Sequence, residues 1–215
     1  MTTPTELRAR IAADYAAVRP LPSPSLRALA VTPFAILALL AAPVYFNVRA
    51  DAPALGWFLT WGASFIQVAM GFALISAALR ESVPGRSWTP LQVASWIAAP
   101  LLLVVALTFA SASLSALPLG RGWWNVGVVC LGGSAAMALP IVALANVLAL
   151  GAYPTRPALT GLLLGLGAGL MADAGWRIFC HYGEPLHVLS AHLGGVLIAA
   201  GAGVALALTL KTPFR

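Results

Sequence analysis

Between residues 27 and 210 the chain returns again and again to uninterrupted apolar runs, separated only by short polar breaks. A run of about 18 residues or more can cross the roughly 30 Å hydrocarbon core of a bilayer as helix, at about 1.5 Å of rise per residue. Helix is forced on such runs, because backbone N–H and C=O groups left unpaired in lipid are too costly. Composition agrees: 60% of the residues are hydrophobic and 8% charged, whereas a soluble exterior needs roughly 25% charged residues. The expected fold is an all-α integral membrane protein, a bundle of six transmembrane helices with short loops. The spans are read at about 27–48, 53–79, 90–114, 124–150, 157–178 and 187–210. Short connections make sequence neighbours antiparallel, and Pro33, Pro43, Pro100 and Pro140 are expected to kink the spans that contain them.

Ahead of the first span, Thr3-Pro4-Thr5-Glu6 has the pattern of a helix start. Thr supplies the N-cap, Pro fits the first helical position, and Glu three residues after the cap closes a capping box. In the helix that follows, Leu7, Ile11, Tyr15 and Val18 recur at spacings that form one apolar stripe. The run Arg19-Pro20-Leu21-Pro22-Ser23-Pro24 ends that helix, since each proline lacks a donor and biases the preceding residue towards extended conformations. The stretch lacks the apolar core of a removable signal peptide. The expected division is therefore residues 1–26 as a cytoplasmic amphipathic helix on a proline-rich stalk, 27–210 as the transmembrane domain, and 211–215 as a cytoplasmic tail. The stripe suits either the lipid surface or a protein partner.

Sidedness follows from the basic residues. With the N-terminus inside, Arg8, Arg10, Arg19, Arg27, Arg80, Arg86, Arg156, Lys211 and Arg215 lie inside, and Arg49, Arg121 and Arg177 outside. The positive-inside rule then puts both termini in the cytoplasm. The same rule accounts for the high pI, so nucleic acid is not an expected partner.

The densest chemistry is the stretch Trp176-Arg-Ile-Phe-Cys-His-Tyr-Gly-Glu-Pro-Leu-His-Val-Leu-Ser-Ala-His192, which interrupts the last two spans on the outer side. Cys180 lies in it, and Cys130, the other cysteine of the chain, is expected on the same side near the start of the fourth span. Such a pair offers a disulfide, a redox switch, or two thiolate ligands for a soft metal completed by His181 or His187. His192, five residues past His187, is expected well round the helix, where it hydrogen-bonds across the bundle. Asp173 lies inside a span, where an ionisable group needs a partner, and Arg177 at i+4 is the most economical one. Gly161, Gly165 and Gly169 form a small-residue ridge at four-residue spacing, suited to close packing within the bundle or, as its second use, to a homodimer. Ser64 and Gln67 share one face and suggest an interhelical hydrogen bond.

No phosphate-binding glycine loop, His-Glu-x-x-His motif or paired nucleophile and base is present, so an enzyme is not expected. A small transporter or channel is one alternative, and a haem- or quinone-binding membrane subunit using His187 or His192 is another. Neither gives a role to the capped, stalked N-terminal helix.

Three motifs together carry a family resemblance: Val18-Arg19-Pro20-Leu21-Pro22 before the first span, Cys130-Leu131 near the start of the fourth with Pro140 below it, and Cys180 followed by Pro185-Leu186-His187 before the sixth. Over nearly its whole length the chain resembles the NrsF-type (negative regulator of sigma F) membrane anti-sigma factors. The resemblance implies a protein of the bacterial inner membrane that sequesters an extracytoplasmic-function sigma factor and releases it on an envelope signal, heavy-metal ions in the best-known case. It implies that Cys130 and Cys180 are the sensing pair, through a disulfide or a transiently bound soft metal ion, with no obligatory cofactor. It makes the N-terminal segment the sigma-factor contact, through Leu7, Ile11, Tyr15, Val18 and Arg19.

Overall fold

The computed structural model describes residues 3–14, 20–114 and 123–210, the side chain of Trp123 excepted. Tyr15, Val18 and Arg19, three of the expected contact residues, and the tail 211–215 lie outside the described residues. The described chain is all helical. Its helices are α1 (Pro4–Ala13), α2 (Pro24–Phe46), α3 (Ala52–Glu81), α4 (Pro90–Leu114), α5 (Trp123–Leu150), α6 (Pro157–Phe179) and α7 (Pro185–Thr209). The last six are long and apolar enough to cross a membrane, which makes this a multi-pass membrane protein.

Local chemistry sets the helix starts. At α1 the capping box is complete: the Thr3 N–H donates to Glu6 Oε2 at 2.7 Å, and the Glu6 N–H donates to Thr3 Oγ1 at 3.3 Å. Leu7 and Ile11 project from α1 into the open, more than half exposed. The first span begins at Pro24, three residues earlier than the charge pattern alone suggests, because Ser23 caps it by accepting from the Leu26 N–H. A 3-10 turn at Leu29–Val31 precedes Pro33 in this span.

The core sits round α6. In its most apolar window 83% of α6 is buried, against 22% for α4, so α6 is the central helix and α4 a peripheral one. Helices α2, α3, α5 and α7 all pack on α6. Leu37, Leu102, Leu139, Val147 and Leu208 point outward instead, as expected of side chains whose solvent is lipid. The ridge foreseen in α6 packs within the chain. A Cβ on Gly165 would sit 2.6 Å from Ala200 Cα, and one on Gly161 would sit 2.7 Å from Ala207 Cβ, so α6 and α7 touch backbone to backbone.

Each end of the bundle gathers polar groups. At the end where α3 closes and α6 opens, the fully buried Glu81 accepts from Arg156 Nε at 2.7 Å and from the Trp88 N–H at 2.7 Å. Arg80 stacks over the Trp88 ring at 3.8 Å, and Arg27 donates to the Leu148 carbonyl. At the other end two helices leave the α pattern. In α3 the Ala63 N–H bonds to Phe58 C=O, and in α7 the Leu193 N–H bonds to Val188 C=O, each five residues back, which makes a π turn.

Candidate functional site

The second of these π turns builds the site. In an α-helix at 3.6 residues per turn, His187 and His192 would stand about 140° apart round the axis, which is why the sequence separates them. Closing the turn on the fifth residue brings them nearly into line. The two rings lie edge to face with centroids 5.3 Å apart, and both side chains are buried.

Cys130, about two turns into α5, and Cys180, the residue that caps the end of α6, meet the imidazoles at this point. Both thiols are free and buried, with their sulfurs 3.7 Å apart. His187 Nε2 lies 3.2 Å from Cys180 Sγ. One ligand atom from each of Cys130, Cys180, His187 and His192 falls within 4.8 Å of all the others. At the helix end, the Cys180 thiol is held well below the usual thiol range, chiefly by the hydrogen bond that the Cys130 thiol donates to it.

Beneath the cluster lies its support. His192 Nδ1 is 2.7 Å from Asp173 Oδ1, and Gln67 Nε2 donates to Asp173 Oδ2 at 2.7 Å. The same amide reaches the Leu170 carbonyl at 3.2 Å, and Ser64 Oγ donates to the Ala174 carbonyl at 2.9 Å. The pair Ser64 and Gln67 therefore ties α3 to α6. Trp176 packs beside Cys130 and Cys180, and its ring occupies the space in which a Cβ at residue 133 would stand.

Two expectations are corrected. Asp173 does not pair with Arg177: its carboxylate turns to His192 and Gln67, and no ion pair joins it to Arg177 among the described residues. Arg177 instead lines a narrow crevice with Arg49, Tyr182 and Gly183 that reaches Cys180 and His192, while Arg49 is neutralised by Asp51 at 2.5 Å. The second correction concerns the imidazoles. His181 stacks on Tyr182 at 4.4 Å between ring centroids and stands outside the four-residue cluster, whereas His192, expected chiefly to hydrogen-bond across the bundle, is inside it. The signal for His192 was Asp173 itself, a buried carboxylate in need of a donor at the same depth.

Six spans enclosing a thiol and imidazole cluster define a multi-pass helical membrane protein with a buried ligand-type site. The family described as "Negative regulator of sigma F" (NrsF) matches residues 11–210, and the chain belongs to it. It is thus a negative regulator of a sigma factor, an anti-sigma factor. No curated protein and no solved structure matches the chain.

Proposed function

We propose that the chain holds an extracytoplasmic-function sigma factor at the bacterial inner membrane and releases it when a metal or redox signal reaches Cys130 and Cys180 from the periplasmic side. The observation that carries this reading is the sulfur pair: the two cysteines of the chain, fifty residues apart, meet at 3.7 Å. In a regulator of this family, such a pair is the group best able to change state with an envelope signal.

The output is the N-terminal segment. With the first span starting at Pro24, residues 1–23 make the cytoplasmic arm, 24–210 the membrane domain and 211–215 the tail, with both termini inside. An arm of this size cannot form a core of its own, so a sigma factor takes it as an amphipathic helix in a groove, through Leu7, Ile11, Tyr15, Val18 and Arg19. Coupling requires two packings that the signal tells apart. Cys130 lies in α5 and Cys180 at the end of the central helix α6, so a bond or ion between them selects one arrangement of α5, α6 and the adjoining α7.

The test uses cells that carry the cognate sigma factor and a reporter of its activity. Replacing both cysteines with serine should abolish induction by cadmium while leaving basal repression intact; an unchanged cadmium response removes the sensing role. Truncation before Pro20 should release the sigma factor constitutively. Impermeant maleimide applied to intact cells after reduction tests the side on which the thiols open.

A further inference from the structure

We propose that Cys130, Cys180, His187 and His192 together form a closed four-ligand site for a divalent d10 cation, zinc or its softer congener cadmium, oriented by Asp173 and Gln67. This inference rests on the sensor reading of the cysteine pair and narrows its signal from metal or redox to metal.

Geometry is the first argument. Tetrahedral zinc with Zn–S near 2.3 Å and Zn–N near 2.0 Å sets its two sulfurs about 3.8 Å apart and each sulfur about 3.5 Å from a nitrogen. Here the sulfurs are 3.7 Å apart and a sulfur and nitrogen 3.2 Å apart, with all four ligand atoms within 4.8 Å of one another. A disulfide would need the sulfurs to close to about 2.05 Å.

Unsatisfied chemistry is the second. Asp173 takes up Nδ1 of His192 and leaves Nε2 buried with no hydrogen-bond partner. A carboxylate on the far nitrogen of a ligating imidazole fixes its tautomer and orientation and raises its basicity. Gln67 in turn fixes the carboxylate. A buried donor or acceptor without a partner is costly, and a cation at the centre of the cluster gives Nε2 one.

Charge is the third. Two thiolates and two neutral imidazoles cancel a dication, which suits a site whose four side chains are all buried. Any proton still carried by either sulfur leaves to water on binding. The set contains no oxygen ligand, which excludes magnesium and calcium, and two sulfurs with two imidazoles fit zinc and cadmium. A narrow crevice lined by Arg49, Arg177, Tyr182 and Gly183 also touches Cys180 and His192. Ligands drawn from α5, the end of α6 and the start of α7 mean that the ion ties three helices together.

The test is made on the full chain, purified in detergent and reduced. Cobalt(II) should bind one per chain with thiolate charge-transfer absorption and the intense visible bands of a tetrahedral ion, and be displaced by one equivalent of cadmium. Asp173→Asn should weaken binding by about 10–100-fold, the usual effect of losing a carboxylate behind a ligating histidine. H187A and H192A should weaken it at least as much. Because these variants could misfold, X-ray absorption on the cadmium-loaded wild-type chain gives the decisive count. A first shell of two sulfurs and two nitrogens supports the site; two sulfurs with oxygens, or no metal retained, overturns it. If no metal binds yet the cysteine-dependent response in cells persists, the four-ligand site falls and the sensor reading stands. If metal binds with this shell but induction ignores the cysteines, the reverse holds.

Discussion

His192 Nδ1 lies 2.7 Å from Asp173 Oδ1, with both side chains at or below 1% exposure. This contact joins α6 to the π turn of α7 and holds the second imidazole against the sulfurs. A buried pair of this kind is strongly destabilising to break from one side, by about 3–5 kcal/mol, because the surviving group is left uncompensated. His192→Ala should therefore lower resistance to denaturant in detergent by about that amount. The double variant with Asp173→Asn should cost less than the sum of the two single changes, and strictly additive losses in urea-unfolding curves would deny the coupling.

The contact of α6 with α7 makes a paired prediction. A Cβ at Gly165 would meet the backbone of Ala199 and Ala200, whereas one at Gly201 meets open space. Gly165→Ala should destabilise by about 1–3 kcal/mol. Gly201→Ala should be neutral or mildly stabilising, by up to about 1 kcal/mol, through helix propensity. Thermal aggregation midpoints of the two variants, compared side by side, check the contrast.

At the opposite end, Glu81 is fully buried and binds both Arg156 and the backbone of Trp88. Arg156→Ala strands a fully buried carboxylate without its cation, whereas Glu81→Ala leaves a guanidinium that is 40% exposed and open to solvation, so Arg156→Ala should cost at least as much as Glu81→Ala. The measurement is the midpoint of unfolding for each variant. The ordering is the test: an Arg156→Ala loss well below that of Glu81→Ala would mean that the buried carboxylate does not depend on this guanidinium.

The capping box gives a pH dependence. The backbone and side chain of Thr3 hydrogen-bond to Glu6 and hold its carboxyl below the ordinary value of 4.5. A depressed carboxyl stabilises the fold above its unfolded value, and that contribution is lost as pH falls through the lower, folded value. Circular dichroism of a peptide spanning residues 1–24 should show helicity constant from pH 7 to about 5 and falling below about 4. Glu6→Gln should flatten that fall.

The spans were readable because lipid imposes one rule on every long apolar run, and α1 was readable from Thr3 and Glu6 because a cap is a local device. Cys130 and Cys180 were readable as a pair only because the chain has no other thiols and alternating spans carry both to one side. The π turn at 188–192 was not readable: Val-Leu-Ser-Ala-His has no breaker, and the extra residue is stabilised by what it brings together, namely His187, His192 and Asp173. Arg177 was assigned to Asp173 on helical spacing alone. The carboxylate instead turns towards α3 and α7, a choice made by Gln67 and His192 on other helices, which no spacing within α6 reveals.

The burial of α6 bears on how the protein is made. It is the least apolar of the six spans, with mean hydropathy 1.4 against 2.2 for α4 and α5, and it carries Asp173 and Arg177 into the bilayer. Of the partners that satisfy Asp173, Gln67 of α3 precedes α6 in the chain and His192 of α7 follows it. The carboxylate in α6 is thus fully satisfied only once the last span has packed beside it.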